Sequence, residues 1–398
     1  MNSDCGLRIA DRSPAGLYIH VPFCTSVCPY CDFAVTIAGE ERRAAWAAGM
    51  IREAEMYADC GLRFDTVYLG GGTPSSVAPD ELHRILDGLR RHLAIAADAL
   101  VCLEANPEDV TPSTVAAWRG LGVDFVSLGV QSFDDRVLEF LGRRHTGDTA
   151  RAAVETLLGA GFDTVSLDLI YGFEGQTPDS WCEDLDRATS LGAQHLSCYQ
   201  LTFHEGTVFG RRLAEGVMAR CAEDTQAELF FLTHERLADA GYRGYEVSNF
   251  AQSPGHRSRH NMKYWEHVPY LGLGPSAHSF VDSKRWWNHR KLRLWQRAVS
   301  SGLNAVEGEE RPSPSQLALE ALMLGLRTAH GVEIDRFRNL FGVDLVAANT
   351  AAIDGLCESG HLRFEDGCLR PTLAGLAVAD TLVRSFDVEQ QTKSSDQP

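Results

Sequence analysis

The most informative segment of the chain is Tyr18-Ile-His-Val-Pro-Phe-Cys-Thr-Ser-Val-Cys-Pro-Tyr-Cys-Asp-Phe33. It begins with an apolar run that predicts a β-strand and continues into three cysteines, Cys24, Cys28 and Cys31, with the spacing C-x3-C-x2-C. Three thiolates this close in sequence can bind one soft metal centre. The segment therefore predicts a metal site directly after the first strand.

Two kinds of metal centre fit three cysteines. A structural zinc ion needs a fourth ligand, for which His20 is the candidate in the same segment. A [4Fe–4S] cluster held by three cysteines leaves one iron without a protein ligand, and a small molecule can chelate that iron. The other cysteines show no ligand spacing: Cys5, Cys60, Cys102, Cys182, Cys198, Cys221, Cys357 and Cys368.

Beyond this segment, short apolar or β-branched runs alternate with segments of helical length. The predicted strands are residues 17–21, 66–69, 100–104, 125–130, 164–170 and 195–201. Strands that alternate with helices indicate an α/β fold with right-handed crossovers and a parallel sheet. Six strands are too few for a closed eight-stranded barrel, so we expect a partial (β/α)6-type barrel. An apolar stripe at helical spacing between Ala227 and Leu237 predicts a helix that stops at Gly241.

The C-terminal part has a different pattern. Gly, Pro, Ser and Glu dominate residues 302–315, which predicts a linker. Three short helices and a hairpin then suggest a small winged-helix-like domain, with many acidic side chains and no basic stripe. The predicted division is an N-terminal tail (1–16), an α/β core with a binding extension (17–301), the linker, the C-terminal domain (316–388) and a disordered tail (389–398).

Composition excludes some classes of function. The chain has 398 residues and a formal net charge of −17, so the phosphate backbone of a nucleic acid would be repelled on average. No signal-peptide pattern and no run of 18 apolar residues occur, which predicts a cytoplasmic protein without a membrane span.

Polar or glycine-rich residues follow four successive predicted strands, at the end of a parallel sheet where ligands bind. The second strand leads into Gly70-Gly-Gly-Thr73, Glu104 ends the third, Gln131 ends the fourth, and Asp168 lies in the fifth. Each could singly be a structural polar residue. Together they predict a ligand site at this end of the sheet.

The cysteine spacing and these segments resemble the radical S-adenosylmethionine (SAM) superfamily. The resemblance implies a partial barrel and a [4Fe–4S] cluster whose open iron chelates SAM. It also implies that one electron, supplied by a donor to the cluster, cleaves SAM to methionine and a 5′-deoxyadenosyl radical.

Within the superfamily, the chain resembles the branch that contains oxygen-independent coproporphyrinogen III dehydrogenase and the haem chaperone HemW family. The resemblance implies eight SAM-binding residues, which by motif are Tyr18, Gly71, Gly72, Thr73, Glu104, Gln131, Arg143 and Asp168.

Three features favour the chaperone side of this branch. The dehydrogenase has a further cysteine where this chain has Phe33, and it has a longer segment before the first strand than the 17 residues here. The signature His-Asn-x-x-Tyr-Trp of the haem chaperone family matches His260, Asn261, Tyr264 and Trp265, which the resemblance implies as haem contacts.

Two questions about haem stay open at this point. The iron ligand can be any of five histidines, His256, His260, His267, His278 or His289. A basic, tryptophan-containing run between Lys284 and Arg297 is either a haem propionate site or a solvated helix face.

The function expected from the resemblance is a haem chaperone that binds a [4Fe–4S] cluster, SAM and haem and delivers haem to haem-requiring proteins, respiratory ones above all. The alternative is an enzyme of porphyrin biosynthesis, oxygen-independent coproporphyrinogen III dehydrogenase. Homodimerisation and peripheral membrane contact stay open.

Overall fold

The computed structural model describes residues 13–389, and its centre is a parallel sheet. Six strands pair in chain order, each parallel to the next: β1 (Ala15–Val21), β2 (Arg63–Gly71), β3 (Ala94–Ala105), β4 (Val123–Gln131), β5 (Thr164–Tyr171) and β6 (His195–Gln200). All six predicted strands are confirmed. The sheet is open and does not close on itself, which confirms the partial barrel.

The sheet extends beyond these strands at both edges. The added strands are β7 (Arg243–Gly244), β8 (Asn249–Ala251), β9 (Tyr270–Leu273), β10 (His278–Val281), β11 (Lys284–Asn288) and β12 (Val306–Glu310). Strand β9 pairs parallel with β1 and leads to β10, β11 and β12, while β8 and β7 extend the edge at β6. The sequence pattern predicted neither extension.

Ten helices accompany this sheet in the described residues: α1 (Glu40–Met56), α2 (Pro79–His92), α3 (Pro112–Gly120), α4 (Asp135–Phe140), α5 (Gly147–Gly159), α6 (Pro178–Ser190), α7 (Val208–Ala214), α8 (Glu223–Asp239), α9 (Arg259–Trp265) and α10 (Leu292–Ser300). Helix α8 is the helix predicted between Ala227 and Leu237, and Gly241 follows it with φ +86°, as expected of a helix stop. Apolar side chains of these helices and of the outer sheet face form one core, in which four tryptophans are fully buried: Trp46, Trp118, Trp181 and Trp295.

A buried carboxyl group ties α1 to the extended edge of the sheet. Glu53 accepts hydrogen bonds from Gly274 N (2.7 Å), Asn288 Nδ2 (2.6 Å) and Trp295 Nε1 (3.0 Å). Three donors on one carboxyl group offset the cost of burying it. This contact fixes the loop after β9 against the core.

The C-terminal part has its own apolar core. It comprises α11 (Pro314–Gly325), α12 (Ile334–Phe341), α13 (Leu345–Ala348), α14 (Thr350–Glu358), α15 (Leu373–Ala377) and α16 (Ala379–Leu382), with β13 (Val332–Glu333), β14 (Leu362–Glu365) and β15 (Cys368–Pro371) in a three-stranded antiparallel sheet. The three predicted helices, at 317–326, 334–341 and 346–357, and the β14–β15 hairpin are therefore present, although Asn349 divides the third helix into α13 and α14.

The structure differs from the predicted linker. Residues 302–315 contain β12, which pairs with β11, and the N-cap Ser313 of α11. Most of both predicted tails, 1–12 and 390–398, lies outside the described residues, and the domain division stays a prediction. None of the described helices is long and apolar enough to cross a membrane.

Candidate functional site

A cavity of about 450 Å³ opens at the carboxyl ends of the central strands. Most of the residues implied as cluster or SAM ligands line it: Cys24, Cys28, Cys31, Gly71, Gly72, Thr73, Glu104, Gln131, Arg143 and Asp168, together with Asn261. These residues come from seven separate segments of the chain. The fold therefore brings together most of the site that the resemblance implied.

The three cysteines lie half-buried along one wall of this cavity. Thr73 Oγ1 donates to Cys24 Sγ over 3.4 Å, and Arg143 Nη1 donates to Cys28 Sγ over 3.5 Å. Burial raises the pKa of Cys31 to about 11, against the effect of a backbone hydrogen bond from Phe33. A hydroxyl and a guanidinium aimed at sulphur favour thiolates, which are the metal-binding form.

The donor set fits an iron–sulphur cluster better than a single zinc ion. Within residues 13–389, no three cysteine, histidine or acidic side chains are placed to hold one metal ion. In a [4Fe–4S] cluster each cysteine binds a different iron, so the sulphurs do not have to converge on one point. His20, the fourth zinc ligand considered above, bonds the Ala34 carbonyl (2.9 Å) and Tyr18 OH (3.1 Å) through its two ring nitrogens.

The glycine segment after β2 packs directly on the backbone that leads into the cysteines. Gly72 N donates to Val21 O and Thr73 N donates to Phe23 O, both over 2.7 Å. A Cβ on Gly72 would lie 2.7 Å from Phe23 O and 2.8 Å from Val21 O. Glycine is required here because two backbone segments approach each other too closely for a side chain.

Two carboxyl groups lie on the inner face of the sheet. Glu104 accepts from Tyr68 OH (2.8 Å) and Gly71 N (3.0 Å), and burial raises the pKa of Glu104 to about 7. Asp168 accepts from Ser127 Oγ (3.0 Å), and burial raises the pKa of Asp168 to about 6. Glu104 thus fixes the glycine segment through its hydrogen bond with Gly71 N, while the carboxyl group of Asp168 lines the cavity.

Arg143 connects the cysteine-lined wall of the cavity to the carboxyl ends of β3 and β4. Its Nη2 donates to Asn106 Oδ1 (2.6 Å) and to Gly129 O (3.1 Å). Gln131, at the end of β4, has φ +67°, a left-handed conformation that is uncommon outside glycine and often marks functional sites. Asn106 also donates to Thr73 Oγ1 over 3.4 Å. Asn106 was not among the predicted site residues. The sequence feature that could have indicated it is its position two residues after Glu104, at the end of the third predicted strand.

The structure does not bring four other predicted site residues to this cavity. Tyr18 and Tyr264 line a second, smaller cavity, and Trp265 lies under the guanidinium of Arg327, 5.6 Å from its ring centre. His260 is buried, bonds Thr66 Oγ1 and Tyr264 OH (2.9 Å each) through its two ring nitrogens, and has its pKa lowered to about 3 by burial. As placed, both ring nitrogens of His260 have hydrogen-bond partners, and the implied haem contact of His260 stays a prediction.

The basic run between Lys284 and Arg297 divides into paired and exposed side chains. Lys284 bonds Glu309 (2.6 Å), and Arg285 bonds both Glu310 (2.7 Å) and Glu320 (2.8 Å). These pairs hold β11 to β12 and to α11, so both side chains are already used in the fold. Lys291, Arg293 and Arg297 are exposed.

Comparisons with known proteins agree with the fold. Residues 18–188 match the Radical SAM superfamily, and residues 313–378 match the HemN C-terminal domain. The solved structure of coproporphyrinogen III oxidase (HemN) from Escherichia coli superposes with a TM-score of 0.80 at 20% identity, over 97% of this chain and 94% of that one. The fold and the site therefore define a radical SAM protein of the HemN-like branch.

Whole-chain relatives refine this assignment. The chain is 35% identical over 389 residues to heme chaperone HemW of Mycobacterium tuberculosis, covering 96% of this chain and 97% of the relative. It is 36% identical over 328 residues to heme chaperone HemW of Synechocystis, covering 80% and 79%. The chain belongs to the HemW family.

Proposed function

We propose that this protein is a cytoplasmic haem chaperone that binds a [4Fe–4S] cluster, SAM and haem and delivers haem to haem-requiring proteins, respiratory ones above all. The observation that carries the proposal is the similarity, over almost the whole chain, to proteins named heme chaperone HemW.

The larger cavity is the proposed place of the cluster and of SAM. Cys24, Cys28 and Cys31 would hold three irons and leave the fourth facing the cavity. A reduced cluster supplies one electron to a SAM molecule bound at that iron. Gly71 and Gly72 line the cavity with backbone that carries no side chain, so SAM could approach this segment closely.

The charged residues of this cavity suit an amino acid ligand. Arg143 carries a fixed positive charge beside Cys28 and is suited to a carboxylate. Asp168 and Glu104 offer carboxyl oxygens to an amino group or a ribose hydroxyl. SAM carries all three of these groups.

The competing function is oxidation of coproporphyrinogen III by a SAM-derived radical. It is favoured by the fold shared with HemN. Against it stands Phe33, an apolar side chain that lines the cavity where the resemblance places a further cysteine in the dehydrogenase. A phenyl ring can pack on a ligand but can neither bind iron nor transfer a proton.

An anaerobic assay separates the two functions. The cluster is reconstituted, and the protein is incubated with SAM, dithionite and coproporphyrinogen III while protoporphyrinogen and 5′-deoxyadenosine are measured. We expect no multiple turnovers to protoporphyrinogen and, in a parallel titration, saturable haem binding at one site. Repeated turnover to protoporphyrinogen would refute the chaperone proposal.

A pair of cysteine variants controls for the cluster. Cys28→Ser should lose the iron–sulphur absorbance, whereas Cys182→Ser, a half-buried cysteine on α6 outside the cavity, should keep it. Equal absorbance in the two variants would contradict the proposed cluster site.

A further inference from the structure

The larger cavity, lined by the three cysteines, is the cluster cavity. A second cavity of about 300 Å³ lies beside it and shares a wall with it. Asp32 and Phe33, directly after the third cysteine, line both. On the other sides of the second cavity lie Tyr264, Tyr270, His278 and Arg290. Tyr18 and Tyr264, which the resemblance implied as contacts of SAM and of haem, also line this second cavity.

His278 is the candidate iron ligand that lines the second cavity. It begins β10, is exposed, and stacks its ring on Trp287 across the β10–β11 pair, with 5.8 Å between ring centres. Among the described residues, no hydrogen bond or ion pair involves its ring nitrogens. The other four candidate histidines line neither cavity.

These four histidines differ from His278 because each has a hydrogen-bond or ion-pair partner for its ring. His260 is bonded at both nitrogens, and His256 bonds Thr164 over 2.9 Å. His267 lies 3.5 Å from Glu320, and His289 lies 3.4 Å from Glu307. Of these five histidines, His278 is therefore the exposed one for which neither ring nitrogen has a hydrogen-bond or ion-pair partner among the described residues.

Arg290 brings an uncompensated positive charge to the same cavity. Its Nη2 donates to the backbone carbonyl of Asp32 over 2.5 Å, and within the described residues no carboxylate pairs with its guanidinium. Arg290 is exposed, and it differs in this respect from the nearby Lys284 and Arg285, which are paired with glutamates. Arginine is suited to carboxylates, which it can bind through two parallel hydrogen bonds.

Aromatic side chains also line the second cavity. Phe33 is 62% exposed, so a flat apolar ligand that covers it would remove apolar surface from water. Tyr264 and Tyr270 meet edge to face beside it, 4.7 Å between ring centres. A ligand that satisfies all of these groups is planar and apolar, carries carboxylates at one edge and accepts a nitrogen ligand at its centre.

We propose that this second cavity is where haem docks, with His278 as an axial ligand of the iron, Arg290 as the contact of a propionate and Phe33 against the porphyrin face. The inference rests on the proposed haem-binding function and assigns its site. It places the haem next to the cluster loop rather than on the buried His260.

Ferric haem titration of the purified full chain tests the site by Soret position, electron paramagnetic resonance and affinity. We expect His278→Ala to lose the low-spin histidine signature and to bind at least 10-fold more weakly. His83→Ala, an exposed histidine on α2, should behave like the wild type. We expect His278→Gly to regain the histidine-like spectrum when imidazole is added.

A pair of arginine variants tests the proposed propionate contact. Arg290→Ala should weaken haem binding by about 3- to 10-fold, and Arg293→Ala, exposed on α10 and outside both cavities, should not change it. Because Phe33 is exposed, Phe33→Ala will fold, and we expect it to weaken binding as well.

The outcomes distinguish the site from the function. A wild type that binds no haem would overturn the proposed function together with this inference. A wild type that binds haem while His278→Ala and Arg290→Ala keep its spectrum and affinity would overturn the inference alone. Unchanged unfolding curves for the variants exclude misfolding as the cause of a loss.

Discussion

A single methyl group at Gly72 tests how the cluster loop is held. The substitution Gly72→Ala adds a Cβ where two backbone segments touch, and its closest neighbours would be the carbonyl oxygens of Phe23 and Val21, at 2.7 and 2.8 Å. Gly72 does not have a positive φ, so alanine is not strained by its own backbone conformation. Any effect therefore comes from the contact itself.

The magnitude follows from these distances. Restoring ordinary contact requires the segments to separate by about 0.6 Å, and overpacking of this kind costs about 1–3 kcal/mol. The same separation stretches the two 2.7 Å hydrogen bonds from Gly72 N and Thr73 N to about 3.3 Å, at a cost of about 1 kcal/mol each. We expect Gly72→Ala to lower the free energy of unfolding by about 3–5 kcal/mol.

The assay is urea unfolding of the apoprotein, followed by iron content and SAM affinity after anaerobic reconstitution. We expect Gly72→Ala to bind less iron and SAM, because the loop that carries the cysteines is displaced. Gly120→Ala, at the end of α3 with no atom within 4 Å of its Cβ, is the control and should stay within about 0.5 kcal/mol of the wild type. A Gly72→Ala protein that matches Gly120→Ala in stability and iron content would refute the reasoning.

Three further predictions follow from individual contacts. Arg143→Ala removes three hydrogen bonds in the cluster cavity and should weaken SAM binding by about 10- to 100-fold in calorimetry, while Arg136→Ala, exposed on α4, should not; equal affinities would exclude Arg143 from the site. Glu53→Ala leaves three buried donors without an acceptor and should lower the unfolding free energy by about 3 kcal/mol or more, so a loss below 1 kcal/mol would contradict the tie that Glu53 makes. Burial raises the pKa of Glu104 from 4.5 to about 7, so the folded protein holds a proton that the unfolded chain releases, and stability should fall as the pH rises from about 5 to about 7. Glu104→Gln should show a shallower fall in urea unfolding over this range, and identical slopes would refute the shift.

The sequence predicted those parts of the site that depend on local patterns. The cysteine spacing, the glycine run after β2 and the acidic residues at the strand ends are all readable along the chain, and parallel strands bring their carboxyl ends to one edge of the sheet. Asn106 was missed because its contact with Arg143 joins residues 37 positions apart. Nothing in the sequence near Asn106 indicates which cation it meets.

The side-chain environments of Tyr18 and His260 could not be predicted in the same way. A histidine in a signature motif can face a ligand or a core, and the choice depends on the partners that the fold supplies. Here Thr66 and Tyr264 occupy both ring nitrogens of His260. These partners come from β2 and from the same helix turn, and only the packing of α9 against the sheet brings Thr66 within reach.

The predicted linker shows how charge can build a strand without apolar residues. Val306-Glu-Gly-Glu-Glu310 has no alternating apolar pattern and resembles a loop in composition. It forms β12 because Glu309 and Glu310 lie beside Lys284 and Arg285 of β11, and opposite charges on neighbouring strands stabilise an antiparallel pair. The basic run that suggested a propionate site is in this part a set of cross-strand ion pairs.

The two cavities have a common wall, which would couple the proposed haem site to the proposed cluster site. Asp32 and Phe33 face both cavities, and the backbone carbonyl of Asp32 accepts the hydrogen bond from Arg290. A cluster bound at Cys31 restrains this wall, because the third cysteine directly precedes it. If the restrained wall holds haem better than the free one, then bound haem must favour cluster retention by the same factor, since coupling between two sites is reciprocal. Haem affinity is measured at equilibrium with the cluster-loaded protein and with the apoprotein. We expect the cluster-loaded protein to bind haem more tightly, and equal haem affinities would refute the coupling through this wall.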